Sequence, residues 1–548
     1  MKSIIVPVML VVLALGLRIW GIEFGLPYTY HYDEHFYVNT AAKLGAGVIN
    51  NPPYAATGLS NILFLEYAGY FLVGIVLQFF SSAQAFEAAF RNDPTAFYLL
   101  GRTTSAVLGS ITVFALYFLG VALAGRAVGT IAAAFLAVTF LHVRDSHYSV
   151  PDVGMGFFVI FAVSIAALGV KHRDRRYIYL ASLVGGFAEA MKWTALPVAF
   201  SLAWAAFVIG HDGKTAYIAK RLQIIVLCSG LFITGFVLGS PQILVNPTPY
   251  LNECLGQYRA GLTGGFDAWQ VDTLPGWLFY GKTMLYGVGP LLLALGFVGA
   301  MRRSVLAMKT GERMSILLLS FPLSYFLLIG STQHYFARYA LPLIPFIALF
   351  AAEMVVVTAA YMRTRSSQYG LAITVVIAAA AIAQPLAYSV QHDLLLTRED
   401  TREEAKRWIE DNIPSGSSIA TDWPTHGPPL STAARPRPNS SRTYALTEVG
   451  GTGLSDHPIL WYREQGFDYL IATSYIYELS LVNKSKDMAR REFYALLDKE
   501  LKLVKEFRPY RVDYDPPFVF DELYGPIISL WERDRPGPTI KVYKVNGS

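Results

Sequence analysis

The stretch that decides the fold lies near the start of the chain, where IIVPVMLVVLALGLRIWGI (residues 4–22) is followed by HYDEHFY (residues 31–37). The first segment is apolar and long enough to cross a bilayer, which takes about 20 helical residues. Asp33 and Glu34 follow it, flanked by histidines and tyrosines. The acidic pair is consistent either with a functional site at a membrane boundary or with an ordinary interfacial aromatic belt. The rest of the chain must decide between the two.

The composition indicates a polytopic membrane protein that also has a soluble part. Of the 548 residues, 53% are hydrophobic and 16% charged, and the mean hydropathy is +0.38. The net charge of +5 is modest, and most basic residues of the first 390 positions lie in short loops between apolar runs. This placement argues against nucleic-acid binding, which would require a basic face on a soluble fold. Cys228 and Cys254 are too few for a disulfide framework or a zinc knuckle.

The charge pattern fixes the expected topology. We expect about eleven membrane spans, at residues 4–22, 100–123, 127–143, 153–170, 177–191, 193–210, 222–240, 275–300, 314–331, 339–361 and 369–388. Lys and Arg concentrate in alternate loops, which the positive-inside rule places in the cytoplasm: 125–126, 171–176, 211–221, 301–313 and 361–367. The N-terminus is then cytoplasmic, and residues after 389 lie outside. No small-residue cleavage site follows the first span, so we expect an uncleaved anchor in the cell membrane.

One apolar stretch, NILFLEYAGYFLVGIVLQFF (61–80), does not fit this count, because a span here would invert every later loop. We therefore place it in the first external loop, 23–99, as a juxtamembrane helix, with a re-entrant hairpin as the alternative.

After residue 388 the pattern changes from a membrane domain (1–388) to an extracytoplasmic α/β domain (389–548). Short strands are predicted at 417–423, 467–474 and 539–545, and one amphipathic helix over 484–507.

The acidic candidates for catalysis are Asp33, Glu34 and Asp145, all predicted on the external face. A carboxylate near a low-dielectric surface suits a general base that takes a proton from a hydroxyl. Asp145 could instead close a helix end by pairing with Arg144. For Asp152, which follows Pro151, an N-cap role is favoured.

The basic candidates are Lys192, Arg338 and Arg102, which interrupt or border apolar runs. A cation at such depth is costly unless it meets an anion, so these three are predicted to hold a phosphate. Arg338 could instead snorkel to the interface, and Lys192 could pair with Glu189. Four nearby residues are further site candidates: His31, Tyr32, His147 and His334.

The order and sidedness of four segments resemble the GT-C superfamily of polyprenyl-phosphate-sugar-dependent glycosyltransferases, closest to the protein O-mannosyltransferase and aminoarabinose transferase group. The segments are HYDEHFY (31–37), RDSHYSVPD (144–152), GFAEAMKW (186–193) and RYALPLIP (338–345). The resemblance covers roughly residues 1–390, and no comparable set of acids and cations follows residue 389.

The resemblance implies an inverting transfer of one sugar from a polyprenyl-phosphate donor to a hydroxyl of a glycan, lipid or protein, with Asp33 as the base. Aminoarabinose transferases carry a Glu-Lys pair in the first external loop, and the corresponding TGLSNILFLEY (57–67) lacks it. We therefore expect no metal and no other cofactor. The alternatives are a transporter or lipid flippase, which would place its carboxylates at the midplane, or a non-catalytic scaffold.

Overall fold

The computed structural model describes residues 4–49, 56–209, 217–263, 275–364, 369–423, 426–450, 453–478, 487–514, 516–517 and 519–545. Up to residue 396 the described chain is helical, and a five-stranded sheet lies in the part that follows. This confirms the predicted fold class, an α-helical membrane region with a C-terminal α/β domain.

The helices of the first region are α1 Ile5–Ile19, α2 Glu34–Gly45, α3 Gly58–Val76, α4 Ala83–Asn92, α5 Thr95–Ala124, α6 Arg126–Val138, α7 Phe140–Asp145, α8 Pro151–His172, α9 Arg175–Met191, α10 Val198–Ile209, α11 Tyr217–Gly239, α12 Gln242–Val245, α13 Pro247–Thr263, α14 Gly276–Gly287, α15 Pro290–Thr310, α16 Arg313–Gly330, α17 Ile344–Arg363 and α18 Tyr369–Leu396. Two 3-10 helices, Trp193–Ala195 and Ala337–Leu343, precede α10 and α17.

Within the described residues, 8 helical stretches are long and apolar enough to cross a membrane: Gly58–Val76, Thr95–Ala124, Pro151–His172, Arg221–Gly239, Pro290–Thr310, Arg313–Gly330, Ala337–Arg363 and Ala372–Asn412. Three shorter apolar helices add Ile5–Ile19, Arg126–Val138 and Trp193–Ile209. The span expected at 177–191 is a helix, α9, but it is in neither group.

Two expected spans are interrupted. The stretch 275–300 divides into α14 and α15, because Gly289 has φ 95° and Pro290 then starts a new helix. The stretch 127–143 divides at Thr139, which has extended backbone between α6 and α7. Each of these expected spans is therefore divided between two helices, because apolar character alone does not report a backbone break.

Of the segment expected at 61–80, residues 61–76 lie in one unbroken helix, α3, which ends at Val76. A re-entrant hairpin is therefore wrong. The helix is long and apolar enough to cross a membrane, and a surface position for it stays a prediction. Glu66 of this helix accepts a hydrogen bond from Thr104 of α5.

The centre of the bundle is formed by α8 and the Ala337–Arg363 stretch, whose apolar windows are each 78% buried. Close helix crossings depend on glycine. A Cβ on Gly186 of α9 would lie 2.0 Å from the carbonyl oxygen of Phe232, and one on Gly235 of α11 would lie 2.0 Å from that of Leu183. The two helices could not approach this closely with any larger side chain.

The C-terminal domain contains helices α19 Thr401–Asn412, α20 Ile459–Glu464, α21 Ser474–Tyr477 and α22 Met488–Glu500, with strands β1 Ser418–Asp422, β2 Ala445–Val449, β3 Tyr469–Thr473, β4 Lys502–Phe507 and β5 Ile540–Lys544. The sheet order is β2-β1-β3-β5-β4; β1 is parallel to β2 and β3, and β5 is antiparallel to β3 and β4. The helix predicted over 484–507 is wrong at its end, since 502–507 is a strand. The helix α18 runs through the boundary expected at residue 388.

A buried carboxylate ties the sheet together. Asp422, at the end of β1, accepts hydrogen bonds from the backbone N–H groups of Leu454 and Thr473 and from the Tyr494 hydroxyl, at 2.8, 2.8 and 2.7 Å. Burial raises the pKa of Asp422 to about 6, although these donors oppose the rise. The carboxylate has a structural role in the domain interior.

Candidate active site

Four charged side chains form a chain of alternating sign at the end of the bundle that carries the C-terminal domain. Arg338 Nη2 lies 2.6 Å from Asp33 Oδ2, and Arg338 Nε lies 3.7 Å from Asp152 Oδ2. Lys192 Nζ donates to Asp152 Oδ1 at 2.6 Å and stands 4.0 Å above the ring of Tyr339. Two anions and two cations are thus combined within one cluster, which we call the charged cluster.

Each member of the charged cluster lies where a helix begins or ends. Asp33 precedes α2, Asp152 is in the first turn of α8, and Lys192 directly follows α9 in an extended conformation. Arg338 belongs to the 3-10 helix Ala337–Leu343. Pro342 in this helix has no N–H to donate to the carbonyl oxygen of Arg338, so an α-helical hydrogen bond cannot form there. Residues far apart in sequence therefore meet because helix ends converge at one end of the bundle.

The members differ in access to solvent. The side chains of Lys192 and Asp33 are 17% and 12% exposed, whereas that of Asp152 is 1% exposed and lies against both cations. A ligand that enters the cluster reaches Asp33 and Lys192 first. Asp152 is placed to hold the two cations close together.

The structure places Glu34 and Arg102 in a separate, fully buried ion pair. Arg102 donates from Nε and Nη2 to the two carboxylate oxygens of Glu34 at 2.8 and 2.7 Å, and Ser149 N–H adds a third bond to Glu34 at 2.8 Å. Arg102 Nη1 donates to the carbonyl oxygens of Ile22 and Phe24. These contacts join the first external segment to α5, which suits a structural pair. The catalytic and phosphate-binding roles expected from the sequence for Glu34 and Arg102 stay predictions.

Asp145 pairs with an arginine that is not a member of the charged cluster. It pairs with Arg144 at 3.1 Å, and both side chains are buried. Arg144 reaches on to Asp521 of the C-terminal domain at 2.9 Å. Asp521 in turn accepts a hydrogen bond from the backbone N–H of Ala337 at 2.6 Å, next to Arg338. The C-terminal domain thus supports the segment that carries one of the cluster cations.

The four further candidates, His31, Tyr32, His147 and His334, differ in burial and in their neighbours. Tyr32 packs its ring against His35 and Trp423, with ring centroids 5.4 and 5.8 Å apart, and His334 is half-buried in the segment before Arg338. His31 is buried and stacks on Tyr148 at 4.4 Å. Burial and the positive charges of Arg338, Arg102 and Arg144 lower the pKa of His31 well below its usual range.

His147 has its contacts with residues outside the charged cluster. Its ring nitrogens face the carbonyl oxygens of Val143 and Trp20 at 2.9 and 3.0 Å.

Sequence reasoning overlooked Asp152 as a site residue and missed Asp521. An aspartate after a proline at a helix start is typical of capping, but the structure shows no side-chain cap in α8, whose N-cap residue is Val150. The signal that could have found Asp152 is its position in the RDSHYSVPD segment beside Asp145. No local pattern marks Asp521, whose contact with Ala337 spans 184 residues.

Comparisons with known proteins agree with this architecture. A family model described as dolichyl-phosphate-mannose-protein mannosyltransferase matches residues 98–250, which include Asp152 and Lys192. The archaeal oligosaccharyltransferase AglB from Archaeoglobus fulgidus, in complex with an inhibitory peptide and a dolichol-phosphate, is similar in structure with a TM-score of 0.54 and 11% identity, over 90% of this chain and 72% of that one. The chain therefore has the fold of the GT-C superfamily.

A second solved structure with this fold matches nearly end to end. ArnT from Cupriavidus metallidurans in the apo state covers 98% of this chain and 97% of its own, with a TM-score of 0.50 and 11% identity. A search of curated protein sequences finds no match. The family match and these two structures are all glycosyltransferases, as the resemblance led us to expect.

Proposed function

We propose that this GT-C protein transfers a monosaccharide from a polyprenyl-phosphate donor to an acceptor hydroxyl at the extracytoplasmic face of the cell membrane. The observation that carries the proposal is the charged cluster, in which a comparatively accessible carboxylate lies beside two cations. Such a combination suits a reaction that removes a proton from one reactant while negative charge develops on a phosphate.

The donor phosphate would be held by Lys192 and Arg338. Both cations contact carboxylates in the cluster, at 2.6 Å in each case. A phosphate group that binds between them would exchange some of these contacts for its own charge-assisted bonds. The exchange would release Asp33 from Arg338 and leave its carboxylate free to accept a proton.

The proposed chemical step is a single displacement. Asp33 takes the proton of the acceptor hydroxyl, and the oxygen forms a bond to the anomeric carbon of the sugar. The bond between that carbon and the phosphate oxygen breaks, and its electron pair leaves with the polyprenyl phosphate. The anomeric configuration is inverted, and the cations stabilise the charge of the departing phosphate.

Asp152 has a different role from Asp33. Its side chain is 1% exposed and lies against both cations, so an acceptor hydroxyl has poor access to it. We propose that Asp152 keeps Lys192 and Arg338 at a fixed separation. Lys192 would then meet the phosphate with little loss of side-chain entropy.

Incubating the purified protein in nanodiscs with radiolabelled polyprenyl-phosphate sugars and candidate acceptors tests the proposal. We expect label to move to an acceptor and free polyprenyl phosphate to accumulate in equal amount. Movement of intact donor between leaflets without cleavage would instead indicate the flippase alternative.

The proposed sidedness needs its own test. A cysteine introduced at Ser417, in the C-terminal domain, should react with an impermeant thiol reagent in intact cells, and one at Arg302 should not. The reverse labelling pattern would place the charged cluster at the cytoplasmic face.

A further inference from the structure

A second group of ligand-type side chains lies outside the charged cluster, where the end of α18 packs beside the loop that follows α7. His147, His392 and Asp393 each offer one nitrogen or oxygen atom, and these atoms all lie within 4.8 Å of one another. The exposed fractions of the three residues are 2%, 0% and 0%. Among the described residues this is the group of histidine, cysteine and acidic side chains with the geometry to hold a metal ion.

Two of the three separations between these atoms match those of a tetrahedral coordination shell. Asp393 Oδ1 lies 3.5 Å from His147 Nε2 and 3.4 Å from His392 Nδ1. Tetrahedral zinc with bonds of about 2.1 Å requires ligand atoms about 3.4 Å apart. Hydrogen bonds between these groups would normally be shorter, at about 2.7–3.2 Å.

The hydrogen bonding of His147 also indicates a bound cation. Its Nδ1 lies 2.9 Å from the carbonyl oxygen of Val143, and its Nε2 lies 3.0 Å from that of Trp20. A neutral imidazole has a single N–H group. One of the two contacts therefore places the lone pair of a ring nitrogen against a carbonyl oxygen, and no hydrogen bond can form there. If Nδ1 carries the proton, a cation beside Nε2 would accept the lone pairs of both Nε2 and the Trp20 carbonyl oxygen. Nδ1–H···O=C bonds of this kind commonly orient metal-binding histidines.

The carboxylate of Asp393 supplies an independent observation. Its Oδ2 is buried and has no hydrogen-bond partner within the described part of the chain, and the same holds for His392 Nε2. The nearby cation Arg18 donates from its two terminal nitrogens to the carbonyl oxygens of Ala14, Ala137 and Leu136 and contacts His142. A buried carboxylate in such surroundings calls for a cation.

We propose that His147, His392 and Asp393 bind a first-row divalent metal ion, with the Trp20 carbonyl oxygen as a further ligand. Two imidazoles and one carboxylate favour Zn²⁺ over Mg²⁺ or Ca²⁺. The ion would have a structural role, since it would join the end of α1, the loop after α7 and the end of α18. This proposal is independent of the proposed function, and it departs from the expectation, drawn from the sequence, that the protein holds no metal.

Metal analysis of the full-length protein in detergent tests the site. We expect about one Zn²⁺ per chain after purification in zinc and removal of loosely bound ions. His392→Gln and Asp393→Asn should lower the Zn²⁺ affinity by at least about tenfold. His457→Gln is the matched control, because His457 stacks on Trp461 in the C-terminal domain, 3.9 Å between ring centroids, and should leave the metal content unchanged.

A measurement on the unmodified protein covers the case in which a variant fails to fold. Protein stripped by a chelator should gain thermal stability when Zn²⁺ alone is added, and Co²⁺ should give the visible absorption of a nitrogen- and oxygen-ligated site. The proposal is overturned if the stripped protein neither binds nor is stabilised by these ions, or if the His392 and Asp393 variants keep the metal content of the wild type. A doubly protonated His147 would then account for its two carbonyl contacts.

Discussion

The buried pair of Glu34 and Arg102 gives the sharpest test of which charged residues are structural. The change Glu34→Gln keeps the shape of the side chain and removes its charge, so that Arg102 stays buried without its anion. The two side chains are 0% and 1% exposed, and breaking a buried pair from one side typically costs about 3–5 kcal/mol. We expect a loss of this size in the free energy of unfolding.

Double-mutant analysis separates the pair from its surroundings. Glu34→Gln combined with Arg102→Met should lose less stability than the sum of the single changes, because the second change removes the uncompensated charge. Denaturant titration of the detergent-solubilised protein supplies the four values. Glu87→Gln is the matched control: it breaks the exposed Glu87–Arg91 pair and should cost at most about 0.5 kcal/mol.

One outcome would contradict a structural role for Glu34. If Glu34→Gln keeps wild-type stability and loses sugar transfer, Glu34 acts on a substrate, and the structural assignment is wrong.

Three further changes probe the site and its support. Lys192→Met should weaken binding of polyprenyl phosphate by about 10- to 100-fold, the loss expected for a charge-assisted bond, and titration in nanodiscs measures it; unchanged affinity would remove Lys192 from the phosphate site. Asp521→Asn should reduce transfer by about tenfold or more by shifting the segment that carries the cluster arginine, whereas Asp534→Asn, in an exposed pair, should have no effect; equal activities would contradict a supporting role. The depressed pKa of His31 means that the unfolded chain takes up a proton at higher pH than the folded one, so stability falls as pH drops below about 6.5, by up to about 1.4 kcal/mol per pH unit. His31→Gln should show a shallower loss of melting temperature between pH 6.5 and 5, and an unchanged slope would show that His31 does not contribute.

The charged residues that could be predicted from the sequence are those among apolar residues, where burying a charge is costly. Lys192 and Arg338 are prominent in the sequence because a cation among apolar residues requires an anion. Asp33 is prominent because it follows a membrane-length run. The structure brings these three together, although their roles in the reaction stay predictions.

The contacts of Glu34 and Asp152 could not be predicted, for a different reason. Glu34 is adjacent to Asp33 in the chain, and sequence gives no sign that one side chain faces Arg102 and the other Arg338. Helix starts at residues 34 and 151 determine those directions, and small shifts in a helix start rotate each following side chain by about 100°. The N-cap role expected for Asp152 is wrong for the same reason, since α8 begins at Pro151 and its N-cap residue is Val150.

The fold was predictable in kind but not at its breaks. Membrane-length hydrophobicity predicted the helical region, and alternation predicted β1, β3 and β5 of the sheet. The strand β4 was missed because KLVKEF (502–507) continues the amphipathic pattern of the helix before it. Its assignment depends on pairing with β5, a contact between segments far apart in the chain.

The measurement that tests the central claim most directly is sugar transfer by Asp33→Asn in nanodiscs, with polyprenyl-phosphate binding measured on the same sample. The change removes the proposed base at nearly constant shape and leaves Lys192 and Arg338 in place. We expect binding to be retained and turnover to fall by about two to four orders of magnitude, the usual contribution of a general base. Turnover close to that of the wild type, with binding intact, would show that Asp33 is not the base and that the mechanism proposed for the charged cluster is wrong.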